Sequence, residues 1–426
     1  MRVPWERVCE EATESLRSLV RLDTTNPPGN ERLATDYLSA ELGKHGIDAV
    51  VKERAPTRTN LVARLKGRDP AKPPLLLSAH TDVVPIEPSG WSRAPFGAEI
   101  AQGCLWGRGA LDMKSKCAMD LVLMTSIKRA GVTPAADLIM AAVADEEAGS
   151  ELGAEFLVQQ HPDLVRAGYV LNELGGFTLH LGDRKLYPVQ VAEKGFVTVK
   201  MTVTDAPGHG SMPRRNTAIT TLAGLIVKLA NTPMRQRVTP LMRRALTEMG
   251  LEAETAPDLI QATLSNTVSP TIVHAGYKDN VIPGEASVVL DGRTLPGDDP
   301  ESFCAELRSI VGPEPSFELL KAASAVEASI ETPLFDLIRK RTEAADPGGR
   351  VVPWMIPGAT DNKFYARLGT ICYGFSPVKL DPAMPFGPLF HGNDERIPIE
   401  GFLWGLKVYA QVVLEFLEIK FEDVFA

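Results

Sequence analysis

Cysteine is sparse in this sequence and carries no pattern. Cys9, Cys104, Cys117, Cys304 and Cys372 are odd in number and far apart, with no CxxC pair. That argues against a disulfide framework and a thiolate metal site, and leaves the reduced thiols of a cytoplasmic protein as the expectation. Long apolar runs are missing too. The segment from Arg2 to Glu11 meets acidic residues before any apolar stretch, so neither a secretory signal nor a membrane partner is expected. Basic residues are in the minority: 45 Lys and Arg face 54 Asp and Glu, a net charge of -9. No basic stripe stands ready to neutralise phosphates, which excludes nucleic acid as a partner. No GxGxxG follows the first apolar run, and Gly107-Arg108-Gly109 is too short to cradle a pyrophosphate, so a dinucleotide-binding protein is excluded as well. Internal repeats and low-complexity segments are also absent.

What is present is 426 residues, 44% of them hydrophobic, enough for two cores. Val8, Ala12, Leu16, Leu19 and Val20 recur at helical spacing and predict a helix over 8–22. A turn-rich stretch over 23–30 precedes a second helix over 31–45. Short apolar strands over 75–79, 138–144 and 167–171 then alternate with helices over 116–130 and 151–160. This is the pattern of an α/β sheet covered by helices.

The texture changes after Gln190. Val197, Val199, Met201 and Val203 alternate with Thr198, Lys200, Thr202 and Thr204, as in a strand with one wet face. A helix over 217–230, strands over 262–275 and 285–294, a helix over 300–311 capped by Asp298 or Asp299, and a strand over 316–321 follow. That β-α-β-β-α-β order is ferredoxin-like. Residues 232–260 read as an insertion with one or two extra helices, and α/β alternation resumes over 334–345 and 369–374. The expected architecture is a discontinuous α/β domain, residues 1–192 and 324–426, interrupted by an α+β ferredoxin-like domain, residues 193–323.

Chemistry-bearing residues gather where the apolar runs stop. His80 follows Leu75-Leu76-Leu77, Glu146 and Glu147 follow the run over 138–144, and Glu173 follows Tyr169-Val170-Leu171. Open α/β sheets place their binding crevice at such strand ends. Asp112 lies in Gly107-Arg108-Gly109-Ala110-Leu111-Asp112-Met113-Lys114, and His391 in Phe390-His391-Gly392-Asn393-Asp394-Glu395. Imidazole and carboxylate donors without cysteine suit a catalytic zinc site. Asp82, two residues after His80, is placed to accept the other ring N–H and fix the tautomer. Adjacent Glu146 and Glu147 diverge, so one can face a metal and the other a water, as a general base must. Singly, each feature has an ordinary explanation: a solvated Glu pair, a hydrogen-bonded strand-end histidine, a turn aspartate. Their ordered set does not.

That set resembles the M20 family of dinuclear zinc peptidases and amidohydrolases, from Ser78-Ala79-His80-Thr81-Asp82 to the His391 segment, over nearly the whole chain. The family groups glutamate carboxypeptidase, carboxypeptidase S, aminoacylase-1, acetylornithine deacetylase and succinyl-diaminopimelate desuccinylase. The resemblance implies a zinc-peptidase-like catalytic domain with a mixed sheet flanked by helices, interrupted by a lid and dimerisation domain. It implies two zinc ions, with cobalt or manganese as alternatives. Asp112 would bridge them, His80 and Glu173 would complete one site, and Glu147 and His391 the other. Glu146 would be the base that deprotonates the bridging water. Aspartate often stands in the family where this chain has Glu173.

Gly208-His209-Gly210-Ser211-Met212-Pro213 matches a family segment whose histidine stabilises the oxyanion in a partner's active site, which implies a homodimer. Asn280 and Arg293 resemble substrate-binding positions, the arginine fork suiting a free carboxylate. Gly358 and Thr360, in Pro357-Gly358-Ala359-Thr360-Asp361, resemble a pocket-lining loop. His45, His161, His180 and His274 fall outside the motifs and are read as structural. The expected activity is hydrolysis of an amide in a small peptide or N-acyl amino acid whose leaving group bears a free α-carboxylate. The His209 segment, Glu193-Lys194-Gly195 and the 232–260 insertion resemble the carboxypeptidase branch. A biosynthetic deacylase of the acetylornithine or succinyl-diaminopimelate type is the alternative within the class. A non-catalytic metal-binding homologue is the alternative outside it, but it should lack a ligand or the base, and none is missing.

Overall fold

Mostly apolar runs become strands buried on both faces. Leu75–His80 and Leu138–Val143 are buried at every position, as strands of a helix-covered parallel sheet must be. They occupy the middle of a mixed sheet in this computed structural model, which describes residues 2–384 and 386–426. From one edge the strand order is Ala49–Ala55, Arg58–Leu65, Leu138–Val143, Leu75–His80, Tyr169–Asn172, Ile371–Gly374 and Arg184–Glu193. Leu75–His80 runs parallel to both its neighbours, and Ile371–Gly374 parallel to Tyr169–Asn172. Arg58–Leu65 pairs antiparallel with strands on both its sides. Three parallel strands therefore end on one edge of the sheet, and His80, Glu146-Glu147 and Glu173 leave from those ends.

The helix Lys114–Ala130 packs on Leu75–His80 and Leu138–Val143. Leu76, Ile139 and Val170 pack with Phe156, Leu157, Phe364 and Tyr365 from Ala154–Gln160 and Asn362–Tyr365. Lys114–Ala130 is itself buried from Lys114 through Ile127, because Trp5–Val20 and Ile399–Phe416 also pack on it. Two of its buried polar residues, Lys116 and Asp120, answer each other. Lys116 Nζ lies 2.8 Å from Asp120 Oδ2, and Tyr409 Oη donates to Asp120 Oδ1 at 2.7 Å.

The chain forms two compact units, one of Met1–Val191, Ala328–Trp354 and Thr360–Ala426, the other of Ala192–Glu327 and Met355–Ala359. The second holds an antiparallel sheet in the order Thr267–Ala275, Glu285–Thr294, Gly195–Thr204, Ser316–Ala323. Val197, Val199, Met201 and Val203 pack with Leu222 and Leu225 of Ala218–Asn231 and with Phe303 and Leu307 of Pro300–Val311. Both helices open with a capping box, Thr217 with Thr220 and Asp299 with Ser302, so Asp299 rather than Asp298 supplies the cap. A side chain at Gly292 would stand 2.2 Å from the Phe303 ring, so only glycine lets that helix lie so close to the strand.

Several elements differ from the sequence expectation. Residues 258–261 are helical, and the following strand starts at Thr267 rather than 262. Ala49–Ala55 is an edge strand without a buried residue, so it shows no apolar alternation. Arg184–Glu193 and Gly349–Ile356 contain Pro188 and Pro353, which disguise them as non-strands. Ile399–Phe416 is apolar on most of its faces and gives no clean helical stripe.

Asp120→Ala leaves the Lys116 ammonium buried without its carboxylate and should cost about 3–5 kcal/mol in urea unfolding. Adding Lys116→Met should recover most of that loss; equal stability of the single variant and the wild type would refute this account of the helix.

Candidate metal centre

Each side chain reaches the centre by a local device. His80 is the last residue of its strand and is buried. After Leu138–Val143 the chain turns through Asp145, held in the left-handed region at φ 69°, into the short 3-10 turn Glu146–Ala148. Glu173 directly follows Tyr169–Asn172. Asp112 sits just ahead of the helix Lys114–Ala130, its main-chain N–H donated to Glu395 Oε1 at 3.0 Å. Glu395 also accepts the N–H groups of Leu111 (2.7 Å) and Gly109 (3.0 Å) and a guanidinium hydrogen of Arg108 (2.8 Å). Arg108 donates in turn to the main-chain carbonyl of His391.

The two carboxylate oxygens of Asp112 face different groups. Oδ1 is 3.0 Å from His80 Nε2, which is 3.7 Å from Glu173 Oε2. Oδ2 is 3.3 Å from His391 Nε2, which is 3.2 Å from Glu147 Oε2. The ligand atoms of His80, Asp112 and Glu173 lie within 4.8 Å of one another, as do those of Asp112, Glu147 and His391. Two donor sets sharing one carboxylate are what a pair of divalent ions requires, and the mixture of imidazole nitrogen and carboxylate oxygen suits zinc-like cations. Glu146 is half-buried beside them and belongs to neither set.

Burial dominates the electrostatics. It pushes the Glu146 carboxyl well above the usual carboxylate range, with further repulsion from Glu173, Asp361 and Glu147. Burial likewise lifts Glu173 to about 7, with Asp112 and Asp361 adding to the rise and His80 opposing it. Asp112 goes the other way: hydrogen bonds from His391 and His80 outweigh its burial and hold it below the usual range. Hydrogen bonds to Asp112 and Glu147 raise His391 to about 10. Burial opposes the charge on His80, yet Asp112, Asp82 and Glu173 together carry its pKa well above the ordinary imidazole value. The cluster is richer in carboxylate than in cation, and divalent metal or protons are its alternative counter-charges.

The remaining predicted residues fall in several places. His80 Nδ1 meets the main-chain carbonyl of Asp82 at 3.0 Å, while the Asp82 carboxylate stands at 3.5 Å. That carboxylate mainly accepts the N–H groups of Glu146 (3.2 Å) and Glu147 (3.1 Å) and the Asn26 amide (2.8 Å). Thr360 is fully buried, its hydroxyl taking the Asn362 N–H, so its side chain is engaged inside the fold rather than offered to a ligand. His209, Asn280, Arg293 and Gly358 belong to the second unit. His209 is exposed there, bonded to Ser211, and the neighbouring Gly210 N–H donates to the Asn280 carbonyl. Arg293 forks onto Asp291 at 3.0 Å through two nitrogens.

Sequence reasoning passed over Glu31, Asn26, Arg58, Asp145, Arg108 and Glu395. Asn26 and Glu31 sat in what read as a loop and a helix start. Glu395 was visible in the His391 segment, but as one more charge on a polar stretch.

Residues 76–415 match peptidase family M20/M25/M40. The chain belongs to this family. It is 27% identical over 390 residues to probable carboxypeptidase S-like 2 of Dictyostelium discoideum, covering 80% of this chain and 72% of that one. It is 28% identical over 404 residues to aminoacylase-1 of Homo sapiens, covering 93% of each. The M20 family metallo-carboxypeptidase Sso-CP2 from Sulfolobus solfataricus shares its fold, with a TM-score of 0.75 at 18% identity, over 96% of this chain and 100% of that one. As an M20 protein the chain is a metal-dependent hydrolase of peptide or other linear amide bonds. Among the described residues no helix is long and apolar enough to cross a membrane.

In chelator-treated protein, Glu173 at about 7 binds more protons folded than unfolded above its ordinary value of 4.5, so its contribution falls as pH rises through that window. His391, raised from 6.5 to about 10, contributes stability in full below 6.5 and loses it as pH climbs to about 10. Stability of the stripped protein should therefore decline from about pH 5 to 9, while affinity for divalent metal rises. Metal titration calorimetry in buffers of different ionisation enthalpy should show proton release; metal uptake without it would refute this charge assignment.

Proposed function

We propose that this chain is a two-zinc amidohydrolase cleaving an amide whose leaving group bears a free α-carboxylate, in a small peptide or an N-acyl amino acid. The observation that carries the reading is the Asp112 carboxylate, one oxygen beside the His80–Glu173 pair and the other beside His391–Glu147, with half-buried Glu146 in neither set. His80, Asp112 and Glu173 would hold one ion, and Asp112, Glu147 and His391 the other. The donor set favours zinc and would also accept cobalt or manganese. When bound, such a pair polarises the scissile carbonyl and lowers the pKa of the attacking water.

Glu146 takes the proton of that water and returns it to the leaving nitrogen. Burial and the neighbouring Glu173 raise its pKa, which favours the proton uptake a general base performs. Asp82 fixes both glutamates through their main-chain N–H groups and holds His80 in its tautomer. Residues 1–192 and 324–426 act as the catalytic domain and 193–323 as lid and dimerisation domain. In a homodimer, His209 stabilises the oxyanion in the partner's site. Exposed Ile272, Val273 and Tyr277, on and just after the edge strand Thr267–Ala275, support an interface on that unit. Arg293 and Asn280 bind the substrate carboxylate, Asp291 holding the arginine fork until substrate arrives, and Gly358 and Thr360 shape the adjoining loop. The two relatives, one carboxypeptidase-like and one an aminoacylase, keep both peptides and N-acyl amino acids within the substrate class. The scattered free cysteines support a reducing, cytoplasmic setting.

Zinc-loaded protein should hydrolyse members of a panel of dipeptides, N-acyl amino acids, acetylornithine and succinyl-diaminopimelate. Glu146→Gln should retain metal and lose about two to four orders of magnitude in kcat. A near-normal rate would remove Glu146 as the base. Arg293→Ala should raise KM for substrates with a free carboxylate and spare their amides; equal effects on both would take Arg293 out of the pocket.

A further inference from the structure

The turn bearing Glu146 and Glu147 is held from behind by a buried chain of charges that meets the donor sets only at its Asp82 end. Arg58 opens the strand Arg58–Leu65, and its Nε and Nη2 each donate to one oxygen of Glu31, both at 2.7 Å. Nη2 also donates to Asp145 Oδ1 at 2.8 Å. Asn26 Nδ2 joins that same Asp145 oxygen (3.1 Å) to Asp82 Oδ2 (2.8 Å). The Asp82 carboxylate receives the N–H groups of Glu146 and Glu147. Asp145 is further fastened through its own N–H to Glu31 Oε1 (3.3 Å) and through its Oδ2 from the Leu152 N–H (3.0 Å). One guanidinium thus stands between the carboxylates of Glu31 and Asp145, both buried.

The backbone makes room for it. Gly29 has φ 79°, and a Cβ there would stand 2.3 Å from Arg58 Nε and 2.4 Å from Cζ. Lysine could not replace this arginine, because a single ammonium cannot present a planar fork to one carboxylate and a further N–H to another. Asp145 pays a backbone cost for its left-handed conformation, and such a residue persists only where its surroundings over-determine it. Here they do so through Arg58.

We propose that Arg58 is a positioning residue for Glu146 and Glu147, acting through Glu31, Asp145, Asn26 and Asp82 to set which glutamate meets metal and which meets water. The proposal rests on the reading of Glu146 as the base. The fork sets the Asp145 side chain, Asp145 sets the entry to the turn, and Asp82 then holds the two N–H groups that aim the two carboxylates apart.

Zinc-loaded full-length protein would be compared as wild type, Arg58→Lys, Glu31→Gln and Gly29→Ala, each alone and in the Glu146→Gln background. Arg58→Lys and Gly29→Ala should lower kcat on the order of 10–100-fold with KM changed by less than about twofold. Glu31→Gln, which keeps one acceptor oxygen, should lose less. In the Glu146→Gln background these substitutions should cost nothing further, since groups acting through one another are non-additive. An equal loss in both backgrounds, or an unchanged kcat in Arg58→Lys and Gly29→Ala, overturns the proposal. Cobalt titration followed by its visible absorption supplies a readout independent of turnover. Arg58→Lys should weaken one of two binding events on the order of 10–100-fold, and identical titrations overturn the proposal. If Glu146→Gln itself turns over normally, the base assignment falls, and the cobalt titration alone decides for Arg58.

Discussion

A carboxylate can serve two cations only if its oxygens face apart and its backbone cannot swing to favour one of them. Asp112 meets both conditions. Its oxygens point to His80 and His391, and its main chain is anchored by Glu395, a fully buried carboxylate that collects the N–H groups of Gly109, Leu111 and Asp112 and the Arg108 guanidinium. Arg108 continues to the carbonyl of His391. The loop carrying Asp112 and the loop carrying His391 are therefore tied to one ion pair, although they are far apart in sequence. Buried as it is, that pair contributes geometry more than stability.

Around this anchor the backbone is bent where ligands must be aimed. Asp145, Leu174, His391 and Asp394 have positive φ, and each is, adjoins, or shares a loop with a residue of the two candidate donor sets. Such conformations cost on the order of 1–3 kcal/mol apiece outside glycine. The rigid part of the fold supplies the offset: strands Leu75–His80 and Leu138–Val143, buried at every position, and the all-buried stretch of the helix behind them. Strand ends deliver the side chains to the right edge, and bent turns give them their final direction.

This division explains what could be read in the sequence. His80, Glu146, Glu147 and Glu173 were legible because an apolar run stops just before each, and parallel strands stop on one edge. The alternation over 195–204 was legible for the same reason, since one face of its sheet is packed and the other is not. Arg184–Glu193 and Gly349–Ile356 were not, because a proline interrupts each and their pairing partners are remote in sequence. Arg58 and Glu395 were hidden differently. A charged residue that faces inward has no local signature; only the fold reveals that Arg58 meets Glu31 and Asp145, or that Glu395 meets the Asp112 loop. The Asp82 carboxylate was expected on His80, yet main-chain N–H groups of the turn occupy it, and the ring takes the nearer carbonyl instead.

Glu146 and Glu147 show most directly how environment creates function from identical chemistry. Both are half-buried, and the loss of solvent around them raises the pKa of each. Glu147 is partly relieved by a hydrogen bond from His391, which stabilises its charged form as a ligand must be stabilised. Among the described residues Glu146 receives no comparable side-chain donor, and it is pressed further by Glu173 and Asp361. A carboxylate so placed holds a proton more readily than its neighbour, which is the property a base needs when it must later give that proton back. The difference follows from a turn that sends adjacent side chains in different directions, and that turn is held by groups remote from the reaction.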